Sequence, residues 1–133
     1  MSAGGDGHAS GIWGEEIAAQ MLRAKGYAIL GTRVRLDSRD EIDIVARDDE
    51  TLVFVEVKTR KSGAFGRPVE SIKREKRHAL SRAAVRYLKR IHFPSVNFRF
   101  DVVEVLGEPD SCREPELNHI ENAFTLDRCY FVP

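Results

Sequence analysis

Residues 41–58 read E-I-D-I-V-A-R-D-D-E-T-L-V-F-V-E-V-K and decide the fold predicted for this chain. Apolar and polar side chains alternate on both sides of the polar turn at residues 48–50, which predicts two antiparallel strands joined as a hairpin. A strand as apolar as residues 52–57 should be buried on both faces. It nevertheless carries Glu56, and Lys58 follows on the same face, although charge is costly to bury unless it is paired or bound to a metal. This hairpin is therefore the candidate functional site.

The pairing register of the hairpin decides which charged side chains meet. A loop of two or four residues sets Asp43 directly opposite Glu56, at about 4.5–5.5 Å between Cβ atoms. Asp43 then lies on the face opposite to three apolar side chains of its own strand, Ile42, Ile44 and Ala46. Two carboxylates at that distance repel each other unless a divalent cation or a shared proton lies between them. A loop of three residues would instead turn Asp43 to the other face of the sheet.

Asp43 and Glu56 together favour a hard cation such as Mg²⁺ or Mn²⁺, which prefers oxygen ligands and keeps positions open for water and phosphate. Lys58 could then orient or deprotonate a water molecule, or neutralise the charge that develops on a phosphate. The alternative is a half-exposed hairpin in which Glu41 and Lys58 form a cross-strand ion pair. Short motifs of this kind also occur by chance, so the motif alone leaves both interpretations open.

The length and composition describe a single soluble domain. The chain has 133 residues, enough for one hydrophobic core, and 42% of them are apolar and 32% charged. We expect a disordered tail at residues 1–10, which are small and polar, and one domain at residues 11–133. No run approaches the roughly 18 apolar residues of a membrane helix, and no signal-peptide pattern is present. Cys112 and Cys129 are too few for a disulfide scaffold, so we expect a cytoplasmic protein that makes no membrane contact.

The charge of the chain is zero overall but unevenly distributed. Residues 58–90 contain twelve Lys and Arg against two Glu, and residues 101–128 contain eight acidic residues against two Arg. This distribution is compatible with a basic face that binds nucleic-acid phosphates, or with two blocks that partly neutralise each other in the fold. The loop at residues 59–68 could contact a substrate backbone or be a plain connection. The predicted phosphate-binding residues are Arg60, Lys61, Lys73, Lys76 and Arg77.

Helices and further strands are predicted around the hairpin by their apolar periodicity. The predicted elements are a helix at residues 12–25, a strand at 27–36, a basic helix at 69–91, a strand at 96–106 and a last strand or mixed element at 119–126. Gly31 in the first strand predicts a bulge. Glu15 in the first helical turn is explained by the helix dipole, but it could also approach the sheet as a third carboxylate. Arg99 and Asp101 share a face of their strand, which favours a surface ion pair over an approach of Asp101 to the site.

Several stretches resemble the YraN family, small bacterial proteins with a restriction-endonuclease-like fold. The stretches are G-E-E-I-A-A-Q-M-L-R-A-K-G-Y (14–27), E-I-D-I-V-A (41–46), V-F-V-E-V-K-T-R (53–60), F-G-R-P-V-E (65–70), K-R-H-A-L-S-R-A-A-V-R-Y-L (76–88), R-F-D-V-V (99–103) and H-I-E-N-A-F (119–124). The resemblance implies an α/β domain with a mixed sheet of about five strands flanked by helices. Two residues depart from the family pattern: Asp40 stands where a Gly is usual, and Arg33 where an Asn is usual. We expect Asp40 to add negative charge near the site and to alter its affinity for a metal ion.

The family is also similar to archaeal-type Holliday junction resolvases and carries the PD-(D/E)xK nuclease signature. The resemblance implies metal ligands at Asp43, Glu56 and Glu15. It also implies that Asp43, Glu56 and Lys58 are catalytic residues for the metal-dependent hydrolysis of phosphodiester bonds in DNA, including branched or structured DNA. Action on two strands would favour a homodimer. The alternative is a non-catalytic nucleic-acid-binding or protein-interaction module that retains the nuclease fold.

Overall fold

The computed structural model describes residues 3–61, 74–92 and 94–126, with side chains from Gly11 onward. The helices and strands are α1 (Ala3–Ala24), β1 (Ala28–Arg35), β2 (Glu41–Asp48), β3 (Thr51–Arg60), α2 (Arg74–Arg90), β4 (Phe98–Leu106) and β5 (Glu116–Phe124). α1 begins within the segment 1–10 for which a tail was predicted. Most of the loop predicted at residues 59–68, the start of the basic helix predicted from residue 69, and Lys73 lie outside the described residues.

The strands form one mixed sheet in the order β1-β2-β3-β4-β5. β3 and β4 are parallel, and the other neighbouring strands are antiparallel. Parallel neighbours cannot be joined by a tight turn, and α2 lies in the connection between β3 and β4. The register of β1 against β2 shifts between Ile29 and Gly31, which confirms the predicted bulge. The architecture is the predicted α/β, restriction-endonuclease-like one, and no helix in the described part of the chain is long and apolar enough to cross a membrane.

The two helices cover opposite faces of the sheet, and each face has its own core. α1 packs Leu22 into one core with Val55 of β3. α2 packs Leu80 into the other core with Phe54 of the same strand. One strand supplies both cores because successive side chains of a strand point to opposite faces. Glu56 lies two residues beyond Phe54 and therefore faces α2.

The β2–β3 hairpin has the register that the charged pattern required. Ile44 pairs with Val55 and Asp48 with Thr51, so the loop consists of the two residues 49–50. The first loop residue, an Asp, has a φ of 55°, a left-handed conformation that Asp tolerates better than most residues. The tight loop thus fixes the pairing of the strands and, with it, the face on which each side chain lies.

One part of the predicted alternation is wrong. Ile44 packs on the α1 side of the sheet, whereas Ile42, predicted on the same face, packs on the α2 side. The break falls at Asp43, whose Oδ2 accepts a hydrogen bond from the backbone N–H of Val57 at 2.9 Å. The carboxylate of Asp43 thus binds a backbone N–H of β3. The last backbone pair between β2 and β3 is Ile44 with Val55. The two strands therefore separate at Asp43, and the alternation of the paired segment does not continue past it.

Candidate active site

Asp43 and Glu56 meet at the point where β2 and β3 separate. Asp43 lies close enough to raise the pKa of Glu56, in addition to the effect of burial, by its negative charge and by a side-chain hydrogen bond to the protonated form of Glu56. Glu56 is only 5% exposed. Burial, followed by the negative charge of Asp43, raises the pKa of Glu56 to about 8. The register of the hairpin therefore brings the two predicted carboxylates close together.

Two ammonium groups approach the same oxygen of Glu56. The Nζ of Lys58 lies 3.8 Å from Oε2, and the Nζ of Lys76, near the start of α2, lies 3.5 Å from it. These positive charges oppose the rise in the pKa of Glu56 but do not outweigh burial and the charge of the neighbouring carboxylate. The alternative prediction of a Glu41–Lys58 ion pair is wrong, because Glu41 pairs with Arg35 at 3.2 Å.

Glu15 reaches the same end of the sheet from α1. Burial, and then the negative charge of Asp43, raise the pKa of Glu15 to about 7, against the charge of Arg33, whose Nε lies 3.8 Å from Oε1 of Glu15. This buried Oε1 has no hydrogen-bond partner among the described residues. α1 approaches the sheet closely because it carries Gly14 where any Cβ would overlap Oγ1 of Thr59. The predicted third carboxylate therefore lies within electrostatic reach of Asp43.

The three carboxylates suit a metal ion by their chemistry, although they do not surround one point. Within residues 3–61, 74–92 and 94–126, no group of three or more His, Cys, Asp or Glu side chains is arranged to hold a metal ion. Each carboxylate is engaged instead: Glu15 with Arg33, Asp43 with a backbone N–H, and Glu56 with two lysines. Carboxylate oxygens are nevertheless the ligands that Mg²⁺ and Mn²⁺ prefer. The chemistry of these side chains suits a hard divalent cation, while their arrangement holds each in a different contact.

The predicted phosphate-binding residues that the structure describes fall into two groups. Arg60 and Lys61 lie at the end of β3, the strand that carries Glu56. Lys76 and Arg77 lie near the start of α2. Lys76 contacts Glu56 directly, so its position is not explained by binding of the nucleic-acid backbone alone.

Sequence reasoning missed Glu104, a buried carboxylate on β4. It pairs in register with Lys58 on the neighbouring parallel strand and is 1% exposed. Asn118 donates a hydrogen bond to its Oε1 at 3.1 Å. Its Oε2 lies 4.0 Å from Arg60 and lacks a hydrogen-bond partner in the described part of the chain. A charged residue inside the apolar run 102–106 is the same signal that marked the hairpin strand, and it could have identified this carboxylate.

Asp40, expected to add negative charge near the site, is held by arginines of α2. Arg82 donates hydrogen bonds of 2.7 and 2.8 Å to its carboxylate, and the Nε of Arg86 lies 3.4 Å away. The hydrogen bonds from Arg82 outweigh burial and lower the pKa of Asp40. Asp40 therefore ties α2 to the turn before β2, and its charge is matched by these arginines.

Asp101 does not approach the site. The Nε of Arg99 donates a hydrogen bond of 3.0 Å to Asp101, as predicted, but the ion pair is buried rather than on the surface because Asp101 is fully buried. The same carboxylate lies 2.8 Å from Nε2 of His119 and accepts a hydrogen bond from the backbone N–H of Asn122. These partners come from β5, so the network joins the last two strands of the sheet.

The family model described as "Uncharacterised protein family UPF0102" matches residues 14–105, which include all four residues predicted for the metal site and its lysine. The chain belongs to the UPF0102 family. This membership confirms the predicted resemblance to the YraN family.

Relatives in the UPF0102 family are similar over nearly their whole length. A UPF0102 protein of Chlorobaculum tepidum is 46% identical over 119 residues, covering 87% of this chain and 92% of the relative. One from Syntrophomonas wolfei is 46% identical over 116 residues, covering 86% of this chain and 96% of the relative. One from Geobacter sulfurreducens is 42% identical over 117 residues, covering 87% and 88%. The family description and the names of these relatives state no activity, so function is argued from the site itself.

Proposed function

We propose that this UPF0102 protein is a metal-dependent nuclease that hydrolyses phosphodiester bonds in DNA, with branched or otherwise structured DNA as the preferred substrate. One observation carries the proposal: Asp43 and Glu56 lie close together where β2 and β3 separate, and the Nζ of Lys58 lies 3.8 Å from Oε2 of Glu56. This is the set that the resemblance to archaeal-type Holliday junction resolvases implies. Action on chromosomal DNA would place the protein in the cytoplasm.

Each site residue has a role that follows from its position. Asp43 and Glu56 would hold Mg²⁺ or Mn²⁺, with Glu15 as the third carboxylate. The bound cation would supply Lewis-acid chemistry and a lowered pKa for its bound water. Lys58 follows Glu56 on the same face of β3, so its ammonium group is placed to orient the attacking water and to stabilise negative charge on the phosphate.

Binding of the nucleic-acid backbone falls to the basic residues around the carboxylates. Arg60 and Lys61 at the end of β3, and Lys76 and Arg77 on α2, would contact phosphates on either side of the scissile bond, and Lys73 is assigned the same role from the sequence. Ion pairs with phosphates release counterions, so binding should weaken steeply with salt. Cleavage of two strands would require two sites, which favours a homodimer.

The experiment that tests the proposal is a cleavage panel in Mn²⁺. The panel contains labelled single-stranded, duplex, flap and four-way-junction DNA and matched RNA, each incubated with wild type and with Asp43→Asn. We expect wild type to cleave structured DNA and Asp43→Asn to lose at least about 100-fold in rate, because it removes charge from the metal-binding pair. Asp49→Asn is the control: Asp49 is exposed in the turn at the other end of the hairpin, so this variant should keep wild-type cleavage.

Two results would separate the alternatives. Salt-sensitive binding without cleavage, unchanged in Asp43→Asn, would identify a non-catalytic nucleic-acid-binding module. Cleavage of RNA but not of DNA would support the metal site and would show that the substrate is RNA.

A further inference from the structure

Two lysines contact Glu56, whereas the nuclease signature contains only one. The Nζ atoms of Lys58 and Lys76 lie 3.8 and 3.5 Å from the same oxygen, Oε2. They come from different elements, one from β3 and one from α2. Among the described residues, these two lysines are the ion-pair partners of Glu56. The resemblance to nucleases assigns a role to Lys58, and the contact made by Lys76 is left without one.

The contact of Lys76 compensates a buried charge. A carboxylate as buried as Glu56 is costly unless a counter-charge or a hydrogen bond accompanies it. Of the two lysines, Lys76 is the closer and opposes the rise in the pKa of Glu56 more strongly. Lys76 is therefore the principal counter-charge of this carboxylate.

A cation coordinated by Glu56 would compete with Lys76 for the same oxygen. Lys58 and Lys76 already lie beside this oxygen, and a divalent cation would repel both, so one ammonium group must move. Lys58 belongs to a strand whose backbone pairs with β4 up to Arg60, and its side chain is 32% exposed. The side chain of Lys76 is 45% exposed and extends from a helix, so it can rotate into solvent.

We propose that Lys76 is an exchangeable counterion: a divalent cation displaces it from Glu56, and the displaced ammonium group then binds a phosphate of the nucleic acid. This inference rests on the proposed metal site. The exchange couples the two ligands. Both the cation and the nucleic acid favour the state in which Lys76 has left Glu56, so each should strengthen the binding of the other. Arg77 adjoins Lys76 on α2, so the displaced ammonium group stays on a basic segment of the helix.

The test measures the two binding steps separately from cleavage. Mn²⁺ affinity is measured by electron paramagnetic resonance without nucleic acid. Affinity for a labelled four-way junction with phosphorothioate linkages, which resist hydrolysis, is measured by fluorescence anisotropy with Mn²⁺ and with EDTA. The variants are Lys76→Gln, the charge-preserving Lys76→Arg, and Arg77→Gln, which removes the same charge from the next residue of the helix.

The exchange predicts opposite shifts for the two ligands. Lys76→Gln should bind Mn²⁺ about tenfold more tightly than wild type, and Mn²⁺ should no longer strengthen its binding to the junction. Arg77→Gln should keep its Mn²⁺ affinity within about twofold and should weaken junction binding to the same extent with Mn²⁺ and with EDTA. Lys76→Arg should behave like wild type, which separates the loss of charge from a loss of folding.

The outcomes that overturn the inference are distinct from those that overturn the proposed function. Mn²⁺ binding that Asp43→Asn abolishes and Lys76→Gln leaves unchanged would contradict the exchange and keep the metal site. If Lys76→Gln and Arg77→Gln changed the Mn²⁺ affinity and the junction affinity equally, the cause would be the loss of any positive charge on α2. This result would also contradict the exchange. Absence of Mn²⁺ binding from wild type and from every variant would contradict both proposals.

Discussion

Glu56 is a carboxylate in an apolar strand, and its neighbours explain why it can be there. Its pKa is raised by burial and by the charge of Asp43, which favours the neutral form, and Lys58 and Lys76 supply counter-charge to the ionised form. Without these partners, burial of an ionised carboxylate would destabilise the fold by several kcal/mol (about 3–5 by analogy with broken buried pairs). The residue that identifies the site is therefore also one that lowers stability at neutral pH.

The raised pKa of Glu56 predicts how stability changes with pH. Between the ordinary pKa of 4.5 and the folded pKa of about 8, the folded state binds more protons than the unfolded state. The free energy of unfolding therefore falls as pH rises through this window, by on the order of 2–4 kcal/mol. Urea unfolding at pH 5, 6, 7 and 8 should show this decline in wild type and a much smaller one in Glu56→Gln. Parallel profiles for the two proteins would contradict the assignment.

Glu15 provides a second, smaller test of the same kind. Its folded pKa of about 7 lies below that of Glu56, so its contribution to the decline should end about one pH unit earlier. Glu15→Gln should therefore raise stability at pH 7 and 8 relative to wild type by less than Glu56→Gln does. If Glu15→Gln raised the free energy of unfolding more than Glu56→Gln, Glu15 rather than Glu56 would have the higher folded pKa, which would contradict this assignment.

α1 is held against the sheet by a glycine that a helix would not otherwise favour. Gly costs a helix roughly 1 kcal/mol relative to Ala, but a Cβ at Gly14 would overlap Oγ1 of Thr59. At Gly11, one turn earlier in the helix, a Cβ would meet nothing within 4 Å among the described residues. The same substitution should therefore have opposite effects at the two positions.

We expect Gly14→Ala to lower the free energy of unfolding by about 1–3 kcal/mol and Gly11→Ala to raise it by about 0.5–1 kcal/mol. Urea denaturation followed by circular dichroism measures both. In the double variant with Thr59→Ala, the loss at Gly14→Ala should shrink, because the overlapping hydroxyl is gone. Similar effects of the two glycine substitutions would show that α1 does not contact β3 as described.

α2 is attached to the turn before β2 by Asp40. Arg82 forms two hydrogen bonds with this carboxylate, which is 3% exposed, so Asp40→Asn should leave a guanidinium poorly paired. We expect a loss of about 3 kcal/mol at pH 7, measured by urea denaturation. The folded pKa of Asp40 is lowered, so its contribution is present above the ordinary value of 3.8 and is lost as pH falls through the folded pKa.

The control for Asp40 is Asp110→Asn, because Asp110 is an exposed carboxylate in the β4–β5 loop. It should change stability by less than about 0.5 kcal/mol. The difference between wild type and Asp40→Asn should narrow as pH falls below about 4. A difference that persists in acid would assign the effect of Asp40→Asn to packing rather than to charge.

The guanidinium of Arg99 joins three strands of the sheet and the segment after α1. It donates hydrogen bonds to Asp101 on its own strand, to Asp48 at the end of β2, and to the hydroxyl of Tyr27 after α1. Burial alone would raise the pKa of Asp101, but hydrogen bonds from His119 and Arg99 lower it. The network joins elements that are distant in sequence at the end of the sheet remote from Asp43.

Asp101→Asn should therefore cost about 3–5 kcal/mol in the free energy of unfolding at pH 7, because the half-buried guanidinium of Arg99 loses its fully buried partner. Glu121→Gln is the matched control. Glu121 also pairs with Arg99, at 3.2 Å, but its side chain is 59% exposed, and exposed ion pairs contribute about 1 kcal/mol or less. Equal losses in urea denaturation would contradict the buried placement of Asp101.

Strand periodicity predicted the parts of the molecule that depend on neighbours in sequence. The alternation around residues 48–50 predicted the hairpin but left its register open, because loops of two and three residues put Asp43 on different faces. The two-residue loop of the structure decides between them. The alternation failed at Ile42, just beyond the point where β2 stops pairing with β3, although β2 stays paired with β1 as far as Glu41.

Contacts between distant segments could not be predicted from local patterns. Asp40 meets Arg82, from a helix two strands further along the chain, and Lys76 meets Glu56 across the sheet–helix interface. A charged residue on a basic helix looks the same in the sequence whether it faces solvent or a buried carboxylate. The candidate carboxylates could be named from spacing, but the second lysine on Glu56 could not.

The most direct test of the central claim is single-turnover cleavage of a four-way junction by wild type and by Glu56→Gln in Mn²⁺. The account predicts cleavage by wild type that EDTA stops, and a rate at least about 100-fold lower in Glu56→Gln, which keeps the shape of the side chain and removes its charge. Equal cleavage by the two proteins would contradict the claim that this end of the sheet is a metal-dependent active site.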